Sequence, residues 1–452
     1  MASPSAMARG LLITFTFSRN DITIRMRALL FRPPLFLLTG VLWLFLSSLL
    51  GVILFLSMVR GISMPPTLRL VHVHGALIGG VAQLILGALL SFIPPLFMTG
   101  RNRSDSHPFL FGLINVGTMA VLFGFAMQRD TVVGIAGVFI VIAFLSVFAE
   151  GLRRIKHSLI SPPLNVWFYG VAFIALLVGL GVGEAMAWQV IPMGRLGQVR
   201  LAHIHLNLLG FVTVTIIGTM HNLFPTAVNT PLHSSRLTRV TFLIVPAAVL
   251  LLVVGFLLGT VTVQIGAGSG LFIGVGLYAY NMLRTWFDAG RPRGAVSDHF
   301  LLATFFLVLA VVTGMLVSAN ALSAPPAVPF GTLHLIAYTH LALLGFAVQT
   351  IIAALSHHLP ITVALARAPS NKKRGPYLKS LLAIVEAWHA FQAGALNLGT
   401  VGLALVATLV WQFSLGSMVV QITAWVAAAL LCVGLGVFTV KVCLLLASRP
   451  PD

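Results

Sequence analysis

The chain has 452 residues, 58% of them hydrophobic and only 8% charged, with a mean hydropathy of +1.03. That charged share is about a third of what soluble domains carry, which excludes a water-soluble globular protein and leaves a polytopic membrane protein. The excess of 27 Lys and Arg over 9 Asp and Glu is read as the loop charge that orients spans in a bilayer, and no nucleic-acid partner is expected.

Residues 1–33 hold a short apolar run, Leu11 to Phe17, followed by Arg19, Arg25, Arg27 and Arg32. No small-residue cleavage site follows, so the segment is read as basic and interfacial rather than as a removed leader. Twelve stretches then reach the roughly 20 apolar residues needed to cross a bilayer. They are 34–59, 67–95, 108–127, 131–153, 163–187, 198–226, 237–262, 264–286, 297–319, 330–359, 384–413 and 416–446. Lipid offers backbone groups no partner, so each span is a helix. The fold class is therefore all-α integral membrane, a single domain over 34–446 with a tail at 447–452. Cys432 and Cys443 both fall in the last span, where neither a disulfide nor a zinc site is expected.

Spans two, six and ten share one skeleton. Aligned on His74, His205 and His340, the copies match at Leu77, Leu208 and Leu343, then at Gly79, Gly210 and Gly345. They match again at Ile85, Ile216 and Ile351, and at Pro94, Pro225 and Pro360, with no gap. Two residues before the aligned His stand His72, His203 and Tyr338; five before it, the first two copies carry Arg69 and Arg200. Spacings of 131 (205 − 74) and 135 (340 − 205) residues indicate three units of four spans, about 34–153, 163–286 and 297–446, arranged as three pseudo-repeated four-helix arcs.

Of the 27 basic residues, all but Arg60, Arg69, Arg129, Arg195 and Arg200 lie at the N-terminus, at the C-terminus or beside loops after even-numbered spans. This places both termini in the cytoplasm, along with a connection at roughly 361–383 that carries Lys372, Lys373 and Arg374. His72, His74, His203, His205, His334 and His340 then lie near the outer face, and His221, His357 and His358 near the inner one. Ionisable residues inside a membrane are functional by default. Side chains at i and i+2 diverge by about 200° on a helix, so each His–x–His pair addresses two sides of its helix rather than one metal ion. Imidazole is the usual axial ligand of heme iron. Arg69 and Arg200, about one turn outward, are placed either to pair with heme propionates or to anchor their helices in headgroups. Glu386 and His389, about one turn apart on span eleven, read as an interfacial polar pair, with a proton relay as the alternative.

Twelve spans in three arcs, with His on spans two, six and ten, resemble the catalytic subunit of heme–copper oxidases and nitric oxide reductases. The fragment HVHGAL at His72–Leu77 is similar to the His–x–His motif on that family's tenth span. Span count and glycine-spaced His helices also resemble the NnrS proteins, heme-containing relatives linked to nitric oxide stress. The resemblance implies one or more b-type hemes held by His on spans two, six and ten, with His74, His205 and His340 as the metal ligands. It implies electron transfer or handling of a diatomic gas in a bacterial or archaeal inner membrane. A cytochrome c, a quinol or another membrane subunit would serve as partner within the lipid bilayer.

The departures are specific. Oxygen-reducing members carry paired copper-ligating His on span seven, whereas residues 238–260 contain none. The His-Pro-Glu motif of span six and the Glu-bearing motif of nitric oxide reductases are missing. Span ten offers His334 and His340 in place of His–x–His. Glu150, Glu184, Asp298 and Glu386 all sit near span ends. Copper is therefore not expected. The alternatives are a divergent oxygen or nitric oxide reductase, and a transporter or structural subunit in which the His are packing groups.

Overall fold

The computed structural model describes residues 33–97, 107–158, 161–323, 325–368 and 370–450. The expected interfacial segment at 1–33 lies, but for Pro33, outside them. Twelve helices are long and apolar enough to cross a membrane, and the described residues contain no strand. In chain order they are α1 (Pro33–Val59), α2 (Thr67–Ser91, its last segment running to Leu96), α3 (Pro108–Ala126), α4 (Asp130–Lys156), α5 (Leu164–Ala187) and α6 (Met193–Ala227). Then follow α7 (Ser235–Leu258), α8 (Val261–Asp288), α9 (Ala295–Asn320), α10 (Thr332–Arg367), α11 (Asn371–Leu409) and α12 (Met418–Ala447). Helix ends carry local stop and start signals. Ser234 accepts the Leu237 N–H ahead of α7, and Gly259 closes that helix in the left-handed region at φ +67°, a conformation that favours glycine.

Consecutive helices pack side by side, and α12 returns to pack against α1, closing a ring. Within it, α2, α6 and α10 have 61%, 61% and 67% of their most apolar windows buried, against 22–50% for the other nine spans. These three helices therefore line the centre, and the remaining spans turn more surface to lipid. The repeat explains why. Gly79, Gly210 and Gly345 lie so close to α1, α5 and α9 that an added Cβ would meet Trp43 Cγ at 2.6 Å, Ala175 Cβ at 2.7 Å and Phe306 Cγ at 2.5 Å. Small residues let helices approach closely where no hydrophobic effect drives them together.

A feature that the sequence pattern did not suggest occurs at one place in all three copies. Straight after His74, His205 and His340, the helix widens into an eight-residue π-helical segment: Gly75–Ala82, Leu206–Thr213 and Leu341–Val348. Such segments are rare and cluster at functional sites.

Two expectations need correction. The connection expected at 361–383 is helical: α10 runs through Pro360 to Arg367, and α11 starts at Asn371. Tyr377, Leu381 and Val385, spaced one helical turn apart, are buried beneath the end of α12, where Tyr377 and Arg367 both donate to the Ser448 carbonyl. Moreover, Glu386 and His389 do not share one helical turn. The α11 helix breaks between them, with Trp388 left-handed at φ +53°.

Candidate functional site

The end of the bundle that carries His74, His205 and His340 is called the upper end here, and the opposite one the lower end. On α2, the His72 ring points back at α1, its Nδ1 2.7 Å from the Ser47 carbonyl. On α6, His203 repeats this against α5, with Nδ1 2.8 Å from the Gly179 carbonyl. Space for each ring is made by a glycine four residues further along the facing helix. A Cβ on Gly51 would lie 2.5 Å from His72 Cε1, and one on Gly183 2.8 Å from His203 Cε1. The third copy keeps the arrangement with a different ring: a Cβ on Gly314 of α9 would lie 3.0 Å from the Tyr338 hydroxyl.

The aligned histidines use their own helix instead. Nδ1 of His74, His205 and His340 lies 2.9, 2.8 and 2.7 Å from the carbonyls of Leu70, Leu201 and Ile336, four residues earlier. His74 rests on Phe125 of α3, with centroids 4.6 Å apart, and His205 on Phe256 of α7 at 4.5 Å. A carbonyl oxygen only accepts, so in all five neutral rings Nδ1 carries the proton and Nε2 the lone pair. The partner that each half-buried imidazole needs is thus backbone, where the sequence offered no acidic side chain. Second-shell bonds of this kind fix the tautomer and orientation of metal-ligating histidines.

The two positions of the motif do face different sides. His72 meets His340 across the centre, ring planes 8° from parallel and centroids 6.2 Å apart. On its other side, α2 presents His74 against Phe125 of α3. The structure brings no partner imidazole to His205 among the ring contacts of the described residues; its neighbour there is Phe256.

His334 stands apart. Its Nδ1 accepts the Gly331 N–H at 3.1 Å, closing the start of α10, and its ring stacks on Trp411 of α11 at 5.2 Å. The proton in its neutral ring is therefore on Nε2, the reverse of the other five. Arg69 and Arg200 are exposed on the upper surface, three residues before His72 and His203. At the lower end, His221 is buried between Phe168 and Tyr278, while His357 and His358 contact each other at 5.0 Å. Among the described residues, no group of three or more His, Cys, Asp or Glu is gathered to hold a metal ion.

No family model matches the chain. An uncharacterized protein of Aquifex aeolicus (strain VF5) is 30% identical over 159 residues, which cover 34% of this chain and 40% of that protein. The match thus spans less than half the length of that curated relative. Among solved structures, a heme–copper terminal oxidase seen as a dimer by cryo-electron microscopy superposes with a TM-score of 0.70 at 11% identity, covering 93% of this chain and 85% of the other. The chain is an all-helical membrane protein with the fold of a heme–copper terminal oxidase chain.

Proposed function

We propose that the protein is a heme-binding membrane redox protein in which His72 on α2 and His340 on α10 hold one b-type heme. The single observation that carries this reading is their pairing, with near-parallel rings 6.2 Å apart and both Nδ1 atoms engaged by carbonyls. His72 and His340 would hold the group through Nε2, since Nδ1 of each is engaged by a backbone carbonyl. The residues fit the group. Bound there, heme would supply one-electron chemistry.

The chain's own work is to hold and tune. The carbonyls of Ser47 and Ile336 fix each ring's rotation and raise the basicity of Nε2. The flanking apolar helices exclude water. Arg69, one turn further out, is placed for a carboxylate substituent. His74 and His203, of the same tautomer, form a second pair between α2 and α6, with Arg200 above it. His205 and Tyr338 occupy the third station of the repeat, and His334 is left out as a structural cap.

The function that follows is electron transfer or the handling of nitric oxide or a similar gas, as in the NnrS proteins. The setting is a bacterial or archaeal inner membrane with both termini cytoplasmic. A cytochrome c, a quinol or a neighbouring membrane subunit would supply electrons. No copper is included, because span seven, residues 238–260, carries no His. The test is a reduced-minus-oxidised absorption spectrum of the purified protein. A Soret band with a b-type α-peak, lost or shifted in both His72→Ala and His340→Ala but unchanged in His157→Ala, is the expected result. Protein made under heme-sufficient conditions that shows no such band, or variants that leave it unchanged, would overturn the reading.

A further inference from the structure

A second polar cluster, unrelated to the upper histidines, fills the lower end between α9, α10, α11 and α12. At its heart is His299, only 1% exposed. Its Nδ1 lies 2.9 Å from Oε1 of Gln349 on α10. Gln349 spends both amide protons elsewhere, on the Gly345 carbonyl at 3.1 Å and on Asn397 Oδ1 of α11 at 2.8 Å. Its oxygen can only accept, so His299 Nδ1 is the protonated nitrogen. The lone pair is therefore on Nε2, which is buried with no hydrogen-bond partner. A base locked in that state inside a membrane is costly unless it has a use.

At the lower surface beside it lies a group of acids and bases. Asp298, 15% exposed at the side chain, lies 3.7 Å from His389 Nε2, and His389 Nδ1 lies 3.3 Å from a Glu386 carboxylate oxygen. Glu386 also accepts the Ala295 N–H and so ties α11 to the start of α9. Arg293 pairs with Asp298 at 3.3 Å. From α12 comes Lys441, buried, with Nζ donating to the Val385 carbonyl at 2.8 Å. Asp298 precedes His299 on α9, and Asn397, which accepts from Gln349, lies about two turns above His389 on α11. The other titratable groups on the helices around His299 are Tyr278 of α8, whose hydroxyl meets Thr304 of α9 at 3.5 Å, and His357 and His358 further down α10.

We propose that His299 is a proton-binding site that exchanges with the aqueous phase at the lower face through Asp298 and His389. One proton from water adds to Nε2, giving an imidazolium that still donates Nδ1–H to Gln349; release is the reverse. His389 and Asp298, a base and an acid in contact at the surface, relay it. The site is independent of heme and stands or falls separately from the function proposed above.

The experiment is deuterium exchange at the imidazole Cε1–H, followed residue by residue by mass spectrometry of the full chain in detergent across a pH series. Exchange at that carbon passes through the imidazolium, so it reports protonation. His299 should exchange with a sigmoidal pH dependence, and the rate should fall about tenfold or more in Asp298→Asn and in His389→Gln, each of which removes one relay group. His221, whose Nε2 is likewise buried without a partner but which, among the described residues, makes no hydrogen bond or ion pair with Asp298 or His389, should stay protected throughout and so report intact packing. No exchange at His299 at any pH, or a rate unchanged in both variants while His221 stays protected, would overturn the proposal.

Discussion

Adding one methyl group at Gly51 tests the proposed ligand without touching a histidine. In an isolated helix Gly51→Ala is favourable by about 1 kcal/mol, because alanine loses less backbone entropy. Here the new Cβ would stand 2.5 Å from His72 Cε1, 3.0 Å from Nδ1 and 3.1 Å from Nε2. Carbon atoms rest about 3.5–4.0 Å apart, so the ring must retreat by about 1 Å or more. The 2.7 Å bond to the Ser47 carbonyl then stretches beyond about 3.5 Å, where it no longer counts as a hydrogen bond. Leaving the half-buried Nδ1–H unpaired costs up to about 1–3 kcal/mol, an amount comparable to the gain in propensity. The larger effect is on geometry, since a ring displaced by that distance leaves the parallel pairing with His340. The assay is the heme difference spectrum, with Gly181→Ala, whose Cβ meets nothing within 4 Å, as control. A Gly51→Ala protein with wild-type heme content and spectrum would refute the idea that His72 is held in place as a ligand.

Three further outcomes are expected. His334→Ala should lower thermal stability by about 1 kcal/mol, the worth of a helix-start bond, and leave the heme spectrum unchanged; loss of heme would return His334 to the ligand set. A single cysteine at position 372 should resist impermeant maleimide added outside intact cells, and ready labelling would invert the proposed topology. Metal analysis of purified protein should find iron without stoichiometric copper, with negligible oxygen consumption; one copper per chain with oxidase turnover would show that the missing span-seven histidines were misread.

The twelve spans and the central place of α2, α6 and α10 were legible because lipid admits few solutions and because the matched His, Leu, Gly, Ile and Pro repeat without a gap. The divergence of the His–x–His side chains followed from helix geometry alone. The ring cradles were harder to see. Ser47, Gly179 and Ala310 form one row and Gly51, Gly183 and Gly314 the next, but on α1, α5 and α9 the copies are offset by 132 (183 − 51) and 131 (314 − 183) residues. The spacing on the central helices is 131 and 135, so an alignment tuned to the histidines misses these rows. The helix over Asn371–Glu386 was hidden by Pro376 and a run of cations, features that suggest a loop. Its buried stripe of Tyr377, Leu381 and Val385 has helical spacing and outweighs them. His299 carried no signal, because what distinguishes it is Gln349, fifty residues away, with both amide protons already committed.

The three widened segments also set what kinds of change these helices tolerate. Each lies between the upper histidines and the lower half of its helix, so it acts as a phase coupler between the two. In regular helix a one-residue deletion turns everything above it by about 100° and lowers it by about 1.5 Å. Losing one residue from the regular helix just below the first of them, from Gln83 onward, would therefore swing His72 and His74 off both neighbouring helices, while span length and hydropathy hardly changed. Inside the widened segment itself the same loss can be absorbed by a return to regular helix, with i→i+5 bonds giving way to i→i+4. The widened segments are thus where these helices tolerate a change of length, and the regular turns below them are where they do not.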